Sequence, residues 1–304
     1  MPFTAAQFLC ALMLPAALAA LLTCCARDLR ARPSSAHMGL GGVMLLLTIA
    51  VAHAASAMAV GASLMPPLMG WNWLPWMALA AVPLFVFAMP SRLTESPLPA
   101  SIFQHAWRWC AVAATTACGA WVLLRPFEIT NEFTYLHLAG GIAAAAMLAI
   151  ATGIVSSSAD RHPFTDRITS IICSGGITLG ILVTGSVNMA LLAGIVPLAI
   201  LGGGLAAWVT DRGSWSGGLL ATGIVISWQL LIGSEYSYLP LWNAPVFALV
   251  LPASLAAARL GSTPQRRALW QIGTALVGIA IALALAATLG QPQTPASDGP
   301  SYNY

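Results

Sequence analysis

Lysine is absent from this chain, and charge of either sign is scarce. The 12 basic residues are all arginine, 9 residues are acidic, and together they make up 7% of the 304 positions. A water-soluble domain of this size carries roughly a quarter charged residues. With 59% of the chain hydrophobic, an ordinary soluble fold is excluded, and lipid is the solvent the composition suits. No basic stretch accompanies the net charge of +3, which excludes a nucleic-acid surface. Metal-binding spacing is also missing. Cys24 and Cys25 are adjacent, Cys10 stands alone, and Cys110 and Cys118 lie eight apart. With no C-x-x-C, neither an iron–sulfur nor a zinc site is expected, and the cysteines read as small residues between helices. No Asp or Glu falls near the middle of an apolar run, which counts against a proton-coupled transporter. No compact cluster of Asp, His and Arg marks a lipid-modifying enzyme.

What is present is a succession of apolar runs. Spans of about 20 residues are placed near 3–25, 39–60, 73–90, 105–124, 136–155, 168–184, 188–209, 217–233, 241–258 and 268–289. The 168–209 stretch is too long for one span, and Gly185-Ser186-Val187-Asn188 supplies the turn of a helical hairpin. The start lacks a basic n-region, and Arg27, Arg30 and Arg32 follow the first run. This makes it an uncleaved first span with its N-terminus outside.

The arginines test the count. Arg27, Arg30, Arg32, Arg92, Arg161, Arg167, Arg212, Arg259, Arg266 and Arg267 fall in inner loops. Arg108 lies at the inner end of span four, and Arg125 alone falls outside. This follows the positive-inside rule. Trp71, Trp73, Trp76, Trp121 and Trp242 gather near one interface, and Trp107, Trp109, Trp208, Trp215 and Trp270 near the other, as indoles prefer. The expected architecture is an all-α, polytopic transmembrane bundle over residues 1–289, multi-pass in the bacterial inner membrane. Both termini lie outside, and a disordered tail follows at 290–304. Gly176 and Gly180 form a G-x-x-x-G step, with Gly140, Gly141 and Gly202 to Gly204 as further sites of close helix packing.

Polar chemistry is confined to a few positions. His53, in the outer half of span two, is the clearest intramembrane ionisable group. It is either a ring held by a neighbouring carbonyl or a group handling protons or a redox substrate. The outer link from Arg125 to His137 carries Glu128, Glu132 and Tyr135. The end of span eight carries Gln229, Gly233, Glu235, Tyr236 and Tyr238. Haem would need two histidines facing each other at similar depth, and His137 lies too near the surface to pair with His53.

The order and ends of these spans are similar to those of the membrane anchor subunit of dimethyl-sulfoxide-reductase-type molybdoenzymes, related to polysulfide-reductase membrane subunits. The resemblance covers about residues 1–240, so spans nine and ten, over 241–289, are additional. It rests on His53 near the outer end of span two, and on Arg125 and Phe127 before a short polar loop to Tyr135. Gln229, Gly233, Tyr236 and Tyr238 at the end of span eight complete it. The chain departs from the family at Ala54-Ala55, where Leu-Gly is usual, and at Gln229 and Ser234, where an acid and Arg are common. The third span lacks the family's acidic residue.

The resemblance implies a non-catalytic or quinol-site subunit of a multi-subunit oxidoreductase. Quinol would be its exchangeable substrate near the outer face, and electrons would pass to an iron–sulfur subunit and a molybdopterin catalytic subunit. No haem or metal is expected in this chain. The implied quinol site draws on His53, Arg125, Glu128, Tyr135, His137, Gln229, Glu235 and Tyr238. His53 would accept from the quinol hydroxyl, a glutamate would relay the proton, and Arg125 would hold a carboxylate or a ring oxygen. The alternatives are a transporter or exporter of a small neutral solute and a purely structural subunit of a membrane complex.

Overall fold

The computed structural model describes residues 9, 13–25, 40–59, 73–88, 102–129, 135–156, 162–209, 218–236, 239 and 243–289. Among them the regular structure is helical. The elements are α1 (Leu14–Cys25), α2 (Leu40–Ala59), α3 (Leu74–Ala88), α4 (Ile102–Ile129), α5 (Tyr135–Ser156), α6 (Pro163–Val183), α7 (Val187–Val209), α8 (Gly218–Tyr236), α9 (Ala244–Ala257) and α10 (Pro264–Leu289). They follow the ten apolar runs in order. Within α2, α5, α6, α7, α8 and α10 the described residues are long and apolar enough to cross a membrane. Backbone groups in an apolar medium must be hydrogen-bonded internally, which is why such runs become helices.

α8 is the centre of the bundle. It packs against α2, α4, α5, α6, α7 and α9, and every residue from Gly218 to Gly233 is buried. A helix apolar on all sides is one surrounded by protein. Its side chains enter both core clusters: Leu220, Ile224 and Trp228 join the one built with α2 to α5. Leu219, Ile226 and Leu230 join the one built with α6, α9 and α10. By contrast α10 exposes Leu269, Trp270, Leu276, Val277 and Ile281.

The hairpin between α6 and α7 forms as the sequence expects, with two residues of the turn absorbed into α7. Gly185 takes φ 99°, a left-handed conformation natural to glycine. Gly185 N–H donates to the Leu182 carbonyl at 3.0 Å and Ser186 N–H to the Ile181 carbonyl at 3.4 Å. This is a Schellman cap, which satisfies carbonyls that a helix end would leave orphaned. The end of the bundle bearing this turn is called the turn end below.

The expected glycine packing takes a particular form. A Cβ on Gly176 would strike Ile279 of α10, and one on Gly180 would strike Phe247 of α9. These glycines therefore receive large side chains. At Gly202 the backbone of α7 itself meets that of α1 at Ala16, with no room for a Cβ.

Several helix boundaries depart from the sequence expectation. Arg125 and Glu128, expected in a link, lie on the last turns of α4, and Tyr135 and His137 lie on the first turn of α5. Arg167, expected in an inner loop, lies in α6, while Arg266 and Arg267 lie in α10. Pro163 and Pro264 explain the early starts, since proline's missing N–H and fixed φ suit the first turn of a helix. The tail at 290–304 and the side chains of Arg125, Glu128, Tyr135 and His137 lie outside the described residues, as does Tyr238.

Candidate functional site

Pro197 sits inside α7. Proline has no N–H, so the carbonyl four residues earlier, that of Ala193, loses its helical donor. A buried orphan carbonyl costs about 1–3 kcal/mol unless another donor reaches it. The donor comes from α8: Gln229 Nε2 lies 2.7 Å from the Ala193 oxygen. This contact fixes the orientation of the amide, since the flipped form would set oxygen against oxygen. The amide oxygen, Gln229 Oε1, is buried and has no hydrogen-bond partner among the described residues, in a residue only 3% exposed.

His53 of α2 approaches the same stretch of α7. Its Nδ1 lies 2.9 Å from the Ile49 carbonyl one turn back, and the ring also meets the Leu192 backbone. The ring is thus held by a neighbouring carbonyl, as the first of the two sequence readings has it. The Ile49 contact makes Nδ1 a donor, since a carbonyl only accepts. Ser56 follows three residues later on the same face of α2, buried, its Oγ without a partner. His53, Ala193 and Gln229 each lie about 9–10 Å from the turn end of their helices, at 1.5 Å per residue. Two of the sequence candidates, His53 and Gln229, thus converge on consecutive residues of α7. Glu235 is a step further toward the turn end, half-buried, and accepts from the Ser234 hydroxyl at 3.2 Å.

A second polar cluster lies at the opposite end. Gln271 Nε2 of α10 donates to Asp166 Oδ1 at 2.9 Å and to Thr169 Oγ1 at 3.1 Å. Asp166, Arg167, Thr169 and Ser170 of α6 are all buried, and the stem of Arg167 runs beside Gly204 of α7. Thr169, Ser170 and Ser174 each donate to the carbonyl four residues back in α6. Sequence reasoning placed Asp166 and Arg167 before the span and missed this cluster. The signal available was Pro163, which starts the helix early enough to carry both charges inside.

Among the described residues no group of three or more His, Cys, Asp or Glu is placed to hold a metal ion. No protein-family model matches the sequence, and no curated protein is similar to it at a significant level.

Proposed function

We propose that this chain is the membrane anchor of a multi-subunit oxidoreductase and binds quinol at the turn end of the bundle. In this reading it crosses the bacterial inner membrane ten times, with both termini and the turn end outside. The ten apolar helices and the arginine distribution support that threading. Iron–sulfur and molybdopterin groups reside in partner subunits. The observation that carries the reading is the buried, unpartnered Gln229 Oε1, at the same depth as His53. Buried polar atoms in folded proteins are nearly always paired, and a bound ligand is one source of the missing partner. A quinol hydroxyl supplies one. In this reading His53, held at Nδ1 by the Ile49 carbonyl, is the group that would take up a proton from quinol.

Mild purification from native membranes tests the reading. The expected result is a stable complex with iron–sulfur absorbance and bound quinone. A chain that purifies alone and binds no quinol would sink it. Pro197, which removes one backbone donor inside the otherwise continuous α7, favours a second reading, a transporter of a small neutral or hydrophobic solute, because transporter sites use such gaps in helix hydrogen bonding. Solute movement by the lone chain in liposomes would select it.

A further inference from the structure

We propose that the turn joining α9 to α10 binds the headgroup of an anionic phospholipid, whose chains lie along the outer face of α10. The proposal does not use the quinol reading. It needs only that α10 crosses a membrane, for which its described residues are long and apolar enough. Arg259, Arg266 and Arg267 all fall between residues 259 and 267, where the chain is drawn into a tight turn. A Cβ on Gly261 would strike the backbone of Arg266 and Arg267, and Thr263 Oγ1 accepts from the Arg266 N–H at 3.2 Å. Arg267 Nε donates to the Gly261 carbonyl at 3.1 Å, so this guanidinium helps hold the turn. Arg259 and Arg266 are exposed, and neither side chain has an ion pair or hydrogen bond among the described residues. The first turn of α10 beside them contains no acid. The two guanidinium groups repel each other, and the partial positive charge at a helix start adds to theirs. Their complement is an anion, and phosphate suits the guanidinium fork.

The face that continues from Arg266 selects the source of that anion. Trp270 and Val277 are exposed on it, about one and three turns on, and indoles favour the membrane interface. Between them a Cβ on Gly273 would meet nothing within 4 Å, so the face has a shallow notch. Leu260, next to Arg259, is 70% exposed. A phospholipid seated on the two arginines lays its chains on this apolar surface, whereas a free phosphate leaves the surface uncovered. Basic loops in general attract an anionic leaflet diffusely. A turn that fixes two arginines beside a notch holds one lipid.

The test uses the full chain, with any subunits that accompany it, in a neutral detergent. Dioleoylphosphatidylglycerol, dioleoylphosphatidylcholine and glycerol phosphate are titrated separately, and bound molecules are counted by native mass spectrometry. The expected result is retention of phosphatidylglycerol over phosphatidylcholine by about tenfold or more, with glycerol phosphate not retained. Arg259→Gln and Arg266→Gln should each lower phosphatidylglycerol affinity about fivefold, the worth of one basic residue near an anionic headgroup, and leave phosphatidylcholine unchanged. Neither side chain takes part in the bonds that hold the turn, so both variants should keep their fold. Gln265→Ala, at an exposed neutral position of the same turn, should change nothing. Equal retention of the two lipids, or a preference that survives both arginine substitutions, overturns the site. Glycerol phosphate held as strongly as phosphatidylglycerol overturns the lipid in favour of a free anion. A dimer in lipid-free detergent that Gly273→Trp abolishes assigns the face to a second copy and overturns the proposal as well.

Discussion

The α6–α7 hairpin carries a polar cluster at each end, and the two are built on different principles. Asp166 lies 17 residues before the end of α6 and Ala193 six after the start of α7. They are therefore about 17 Å apart along the bundle, at 1.5 Å per residue. At the far end a single amide, Gln271, bridges a carboxylate and a hydroxyl, and neighbouring hydroxyls turn back onto their own helix. At the turn end a single amide, Gln229, meets one backbone oxygen and leaves its own oxygen unmatched. The first arrangement closes upon itself and joins α6 to α10. The second leaves its amide oxygen unmatched among the described residues. Amides of the same chemistry, in the same apolar surroundings, thus join two side chains in one place and satisfy a proline-freed carbonyl in the other.

The comparison breaks most visibly at Gln271. Gln271→Leu would leave Asp166 buried without its amide donor, and hydrogen bonds to charged groups contribute about 1.5–3 kcal/mol. Loss of a buried partner of a charge is at the upper end of such effects. The expected outcome is destabilisation by about 3 kcal/mol, read as a fall in the unfolding midpoint in detergent. A loss below about 1 kcal/mol would show that the far-end cluster is not what joins α6 to α10.

A double-mutant cycle sharpens the other side. Gln229→Leu orphans the Ala193 oxygen but also deletes the unmatched Oε1, so its net cost should be smaller, about 1 kcal/mol. Pro197→Ala restores a backbone donor to that oxygen. Introduced into the Gln229→Leu protein, it should be more favourable by about 1 kcal/mol than in the wild type, which is the coupling such a cycle isolates. Strict additivity in the same unfolding measurement would mean that Gln229 and Pro197 do not act through the Ala193 oxygen.

The helical architecture was legible in the sequence because the apolar runs mark where the helices lie. The turn at Gly185 was legible because only glycine takes its φ readily. Helix starts were less so. Charges such as Asp166 and Arg167 read as loop residues until Gln271 and Gly204 are seen beside them, and neither neighbour is close in sequence. His53 and Gln229 were found as isolated polar residues in apolar runs. Their shared landing place on α7 was not, since it depends on which helices touch. Pro197 did announce an orphan carbonyl at Ala193, and a search for a side-chain donor at matching depth would have led to Gln229.

The smallest effect is expected at Ser56. Its hydroxyl is buried and has no partner among the described residues, so Ser56→Ala removes an unmatched polar atom and one small volume. These two consequences oppose each other, and the unfolding midpoint should move by no more than about 0.5 kcal/mol in either direction. If the quinol-site reading holds and Ser56 serves the ligand, decylubiquinol affinity should nevertheless fall severalfold. Far-end hydroxyls such as Ser170 should behave in the reverse way when changed to alanine, altering stability without altering affinity, since Ser170 already donates to the Asp166 carbonyl at 2.8 Å. If Ser56→Ala instead lowers stability and leaves binding untouched, the turn end is a closed structural cluster like its counterpart, and the distinction between the two ends disappears.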